Sequence, residues 1–200
     1  MKGLIGLSRI IDAINRLLGR VVAWLLLVAV LVSAVNAIVR KALNVSSNAW
    51  LEVQWILFGA VFLLCAAWTL LSNEHIRIDI VNGALPKRAQ NWIEVVGHTL
   101  FLIPMCLVLV ATGWPFFLRS LGVNEQSTNA GGLPIYPSKF LIPLAFAILL
   151  IQAMSELIKR VAIMRGRLAE SAVAGGHHAA AEAERVLKAA QEEAEQRAGS

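Results

Sequence analysis

Four long stretches of this chain contain no Asp, Glu, Lys or Arg, and they set the terms for everything else the sequence can do. Residues 21–39 lie between Arg20 and Arg40, 53–73 between Glu52 and Glu74, 95–118 between Glu94 and Arg119, and 140–155 between Lys139 and Glu156. The last is shorter, but Leu133, Ile135 and Tyr136 lead into it and Leu157 and Ile158 prolong it. A helix crosses the hydrocarbon core of a bilayer with about 20 apolar residues, and terminal charges can snorkel to the surface. With 58% hydrophobic residues and a mean hydropathy of +0.67, the chain has too little polar surface to dissolve as a globule. The fold class predicted is an all-α integral membrane protein with four transmembrane helices, over about 21–39, 53–73, 95–118 and 137–158. The first stretch is longer than a signal-peptide core and is followed by Arg40-Lys41, so it is expected to stay as a span.

Lys and Arg are distributed unevenly around these spans. Residues 1–20 hold four, 73–94 hold three and the segment just after the fourth span holds four, whereas 40–52 and 119–139 hold two each. Placing both termini in the cytoplasm puts eleven basic residues inside against four outside, the bias that orients membrane proteins. Trp24, Trp68 and Trp92 then fall near the inner boundary, and Trp50, Trp55, Trp114 and Tyr136 near the outer one, as aromatic belts do. The net charge of +5 sits beside spans rather than on a compact face, so contact with anionic membrane lipid is expected and nucleic acid is not.

Three regions flank or connect the spans. In 1–20, Leu4, Leu7, Ile11, Ile14 and Leu18 recur at helical spacing opposite Ser8, Arg9, Asp12, Asn15 and Arg16, the pattern of an amphipathic helix lying in the cytoplasmic interface. The four-helix domain occupies 21–167, and 168–200 reads as a mobile Ala/Glu-rich cytoplasmic tail whose large apolar residues are too few to bury. The connection before the fourth span carries Asn124, Glu125, Gly131, Gly132 and Pro134. It is the natural place to meet a periplasmic partner, or else a polar connector.

No span holds an ionisable group at mid-membrane, where a self-sufficient ion-coupled carrier would keep one. Pro104 is placed to kink the third helix. Cys65 and Cys106 lack metal-site spacing, and no cofactor or metal site is predicted. An alternative assigns His75 and His98, approaching one membrane face from neighbouring helices, to a haem-binding or quinone-associated membrane anchor.

Trp50-Leu51-Glu52-Val53-Gln54-Trp55 opens the second span, and Glu74-His75-Ile76-Arg77-Ile78-Asp79 follows it. Together with Gly131-Gly132-Leu133-Pro134 before the last span, these segments resemble the DctQ-type small membrane subunit of tripartite ATP-independent periplasmic (TRAP) transporters. The likeness covers roughly residues 15–165. It implies a non-enzymatic subunit of the bacterial inner membrane that joins a large multi-spanning permease. That permease would hold the sodium and solute sites, and a periplasmic solute-binding protein would deliver an organic acid or related solute. It also singles out Glu52, and the post-helix group His75, Arg77 and Asp79, as assembly or family-motif positions. A carboxylate at Glu52 would hydrogen-bond the start of its helix or a neighbour, and Arg77 and Asp79 would be available for ion pairing.

Overall fold

The computed structural model describes residues 2–44, 47–72 and 86–168, and these residues are helical apart from their connections. His75, Arg77 and Asp79, and the 169–200 part of the tail, lie outside the described residues. Helix α1 runs Lys2–Leu43 and α2 runs Asn48–Ser72. The third crossing begins as α3, Lys87–Gly97, passes through one π-helical turn, His98–Leu102, and continues as α4, Ile103–Gly122. Helix α5 spans Tyr136–Met164. The described residues thus contain four helical stretches long and apolar enough to cross a membrane, the third being Ala89–Gly122. Four crossings return the chain to its starting side, and Ser8 of α1 accordingly meets Ser155 of α5.

Helix α5 is the hub. Of the most apolar 18-residue stretch in each span, 39% is buried in α5, against 22% in α2, 11% in α1 and 6% in the third crossing. It packs against α1, α2, α3 and α4, whereas the third crossing rests mainly on α5 and presents most of its side chains outward. The apolar core lies where Ala67 and Leu70 of α2, Cys106 of α4, and Leu149 and Ala153 of α5 converge. Small residues dominate such contacts because lipid tails are as apolar as the protein. Helices gain little from hydrophobicity alone and associate by close backbone approach. At the α4–α5 crossing, a Cβ added to Gly113 would lie 3.4 Å from the Pro143 ring.

Two features of the backbone add detail that the sequence did not specify. The boundary at residue 20 is not a break: α1 passes straight through it, because Ser8, Asp12, Asn15, Gly19, Val22 and Ala29 form one buried stripe at helical spacing. The polar side of 1–20 is therefore turned onto α5, and Leu4, Leu7, Ile10, Ile14 and Leu17 are the exposed face. Pro104 produces a π turn. Its ring nitrogen carries no hydrogen to bond the Leu100 carbonyl four residues back, and the helix widens so that the Ile103 N–H bonds the His98 carbonyl.

The crossing of α1 and α2 is closed by Gly19, where an added Cβ would stand 2.6 Å from Cγ of the Trp68 indole. At Gly59, further along α2, a Cβ would meet nothing within 4 Å. Gly19→Ala should therefore destabilise by about 1–3 kcal/mol through overpacking. Gly59→Ala should be neutral or stabilise by up to about 1 kcal/mol through helix propensity. Thermal unfolding of the two variants in detergent, followed by circular dichroism, should show a lowered midpoint for Gly19→Ala and an unchanged or raised one for Gly59→Ala.

Candidate functional site

Glu52 sits in the second turn of α2, past the positions where a carboxylate caps a helix start, and its side chain points across to the connection between α4 and α5. Three donors from that connection converge on it. Ser127 Oγ–H and Asn129 Nδ2 (2.8 Å) donate to Oε1, and the Leu133 backbone N–H (2.6 Å) donates to Oε2. The carboxylate is buried and satisfied from one loop, so its role is a latch between helices, not the cap of its own helix.

The loop is built to reach it. Residues 125–135 double back as a short clasp, with Ser127 N–H to Leu133 O and Ile135 N–H to Glu125 O both at 3.0 Å, flanking an isolated bridge between Gln126 and Pro134. Asn124 (φ 47°) and Gly131 (φ 69°) supply the left-handed turns. Gly132 answers a different need: a Cβ there would lie 2.5 Å from Ser127 Cβ and 2.8 Å from Glu52 Oε1. Asn48 Nδ2, at the start of α2, donates to Ala130 O at 3.0 Å, a second tie between this helix and the loop. Glu125 anchors the base, accepting from Ser120 Oγ (2.5 Å) and pairing with Lys139, whose ammonium also stands 4.3 Å from the centre of the Phe116 ring. The structure thus brings Glu52 together with Gly132, and places Asn124, Glu125, Gly131 and Pro134 in the same clasp. The tip, Thr128 to Gly131, remains exposed.

A second polar cluster occupies the opposite end of the bundle. Ser8, Asp12 and Asn15 of α1 face Gln152, Ser155, Glu156 and Lys159 of α5, all buried. Lys159 Nζ bridges Asp12 Oδ2 (3.0 Å) and Glu156 Oε1 (2.5 Å). Gln152 Nε2 donates to both carboxylates (3.0 and 2.9 Å) and its Oε1 accepts from Asn15 Nδ2 (2.6 Å). Nearby, Arg160 pairs with the Glu94 carboxylate and donates to Asn91 Oδ1 (3.2 Å), tying α3 to α5. The sequence reading of α1 missed this seam, although its signal was there: Ser8, Asp12, Asn15 and Gln152, Ser155, Lys159 each repeat every three or four residues.

His98 donates from Nδ1 to the Glu94 carbonyl of its own helix (2.7 Å). His75 lies outside the described residues, and the haem- or quinone-anchor reading gains no support from the family match. The described residues contain no group of three or more His, Cys, Asp or Glu able to hold a metal.

Removing the latch should loosen the loop but not the bundle. Glu52→Ala leaves three donors without their acceptor, and Gly132→Ala forces a steric conflict at the same point. In both variants, proteolytic cleavage within 124–133 should accelerate while helical circular dichroism is unchanged. The clasp should also respond to acid. The Lys139 ammonium and the Ser120 hydroxyl hold the Glu125 carboxyl below the usual glutamate value. A carboxyl depressed by folding stabilises above its unfolded pKa and stops doing so as pH falls through its folded one. Loop protection against amide exchange should therefore be flat from neutral pH to about 5 and decline only at more acidic values.

The family model for tripartite ATP-independent periplasmic transporters, DctQ component, matches residues 29–162, from the middle of α1 to the last turn of α5. No curated protein matches the chain. The matched region is two-thirds of the sequence and contains Glu52, the clasp and the hub helix. The chain belongs to the DctQ family, the small permease component of TRAP transporters.

Proposed function

We propose that this subunit braces a large multi-spanning permease in the bacterial inner membrane, with both of its termini cytoplasmic, and takes no catalytic part itself. The large permease carries the sodium and solute sites, and a periplasmic binding protein delivers an organic acid or related solute. Solute selectivity then resides in those two proteins. The observation that carries this reading is the distribution of charge within the family's frame. The mid-portions of all four spans lack Asp, Glu, Lys and Arg, and the buried or half-buried titratable groups at the two ends, Glu52 at one and Asp12, Glu156, Lys159, Glu94 and Arg160 at the other, are engaged within the subunit itself. A transporter that couples ion to solute needs an ionisable or broken-helix site near the membrane midplane, and that site falls to the partner.

In this reading the tip of the Glu52-latched clasp, with Asn124 and Glu125 at its base and Gly131, Gly132 and Pro134 shaping its return, is the surface offered to a periplasmic partner. His75, Arg77 and Asp79 serve as a cytoplasmic polar knot after α2. Liposomes containing only this subunit should show no sodium-dependent solute accumulation, and adding the large permease and the binding protein should restore it. Accumulation by the subunit alone would end the scaffold reading. In the three-component system, Glu52→Ala and Asp79→Ala should each lower uptake severalfold, and if both leave assembly and uptake untouched these positions have no functional role.

A further inference from the structure

Between the last turns of α1 and the start of α2, at the same end of the bundle as the Glu52 clasp, lies an open groove of about 590 Å³. Six of the side chains that line it are polar: Ser33, Asn36, Arg40, Lys41 and Asn44 from α1 and its end, and Gln54 from α2. Two are cations, and no acidic residue lines it. The groove differs from the other polar sites of the molecule. Glu52, Glu125, the Asp12–Lys159 seam and Arg160 are all satisfied from within the chain, whereas none of these six makes a side-chain hydrogen bond or ion pair among the described residues.

The vertical order of the six is informative. Along α1, Asn36 stands one turn below Arg40, about 6 Å, and Ser33 about 10 Å below it, at 1.5 Å per residue. Charge is thus at the rim, with neutral hydrogen-bonding groups beneath it where α1 enters its apolar span. Amide and hydroxyl groups facing hydrocarbon without partners are costly, so something polar must reach down to them. A small anion would satisfy the rim and leave Asn36 and Ser33 bare. A diacyl phospholipid carries its phosphate at the surface, its ester carbonyls one helical turn deeper, and acyl chains that continue along the apolar flank of α1, where Leu31, Val35 and Ile38 are exposed.

We propose that this groove binds an anionic diacyl phospholipid, its phosphate on Arg40 and Lys41 and its ester carbonyls accepting hydrogen bonds from Asn36, Gln54 and Ser33. The site is independent of the transport reading above and would hold whichever solute the assembly carries. A basic residue at a bilayer surface is worth about fivefold in affinity for anionic lipid, so the pair should give up to about 25-fold, and at least about tenfold if the two overlap.

Native mass spectrometry of the full chain in detergent, titrated with phosphatidylglycerol, phosphatidylcholine or glycerol 3-phosphate, tests this. The expected result is at least about tenfold tighter retention of phosphatidylglycerol than of phosphatidylcholine. Arg40→Gln/Lys41→Gln should abolish that preference, Arg40→Gln alone should reduce it, and Asn36→Leu should weaken both lipids severalfold. Arg119→Gln, which removes an exposed cation at the same end of the bundle, should change nothing. The proposal fails if the double variant keeps the preference, or if Arg119→Gln reduces it equally, since the effect is then diffuse charge. It fails as well if glycerol 3-phosphate displaces the lipid at equal concentration, which marks a free-anion site, or if co-purified large permease expels the lipid, which marks a protein interface.

Discussion

Hydrocarbon offers no hydrogen bonds, and that shortage governs how this molecule is put together. Backbone groups are satisfied within each helix, and the buried polar side chains are answered by a neighbouring helix or by the loop before α5. Because apolar surface alone does not draw helices together in lipid, the contacts that hold the bundle are close approaches of small residues and a few polar bonds. Helix α5 supplies most of both. Ala145, Ala153 and Ala162 allow neighbouring backbones near, Pro143 meets Gly113, and Gln152, Ser155, Glu156 and Lys159 make the polar face. The third crossing, by contrast, uses α5 as its main support and keeps most of its surface outward.

Polar fastening is concentrated at the two ends of the hub. At one, the loop leading into α5 is drawn to α2 by the Glu52 carboxylate; at the other, α1 and α3 are held by Gln152, Lys159 and Arg160. Buried ionic groups of this kind contribute more to specifying register than to net stability. Desolvation offsets much of their attraction, yet deleting one partner leaves a charge uncompensated. The seam therefore fixes how α1 slides and rotates against α5, which smooth apolar faces alone would leave loosely defined. The bracing role proposed above would draw on such fixed geometry at both ends of the bundle.

Much of this was legible in the chain. Uninterrupted apolar length announces a membrane helix because bilayer thickness demands it, and the segments around Glu52 and Gly131-Gly132 carried the family resemblance. The polar stripe Ser8, Asp12, Asn15 was visible as well, but its destination was not. An amphipathic period states that a polar face exists without saying whether water, headgroups or another helix receives it, and only the matching stripe on α5 decides. Pro104 likewise announced a disturbed helix, while the choice of a π turn depended on how the surrounding turns could rearrange.

The sequence by itself determined the number of spans, the absence of mid-membrane charge and the family, since each follows from local composition and order. Tertiary structure alone decided that α5 is the centre, that the polar face of the first twenty residues packs on α5, and that Glu52 grips a loop 75 to 81 residues further along the chain. Those are outcomes of long-range pairing. A carboxylate or an amide can be satisfied by many partners, and which one it meets is set by how four rods pack, a relation no local stretch of chain contains.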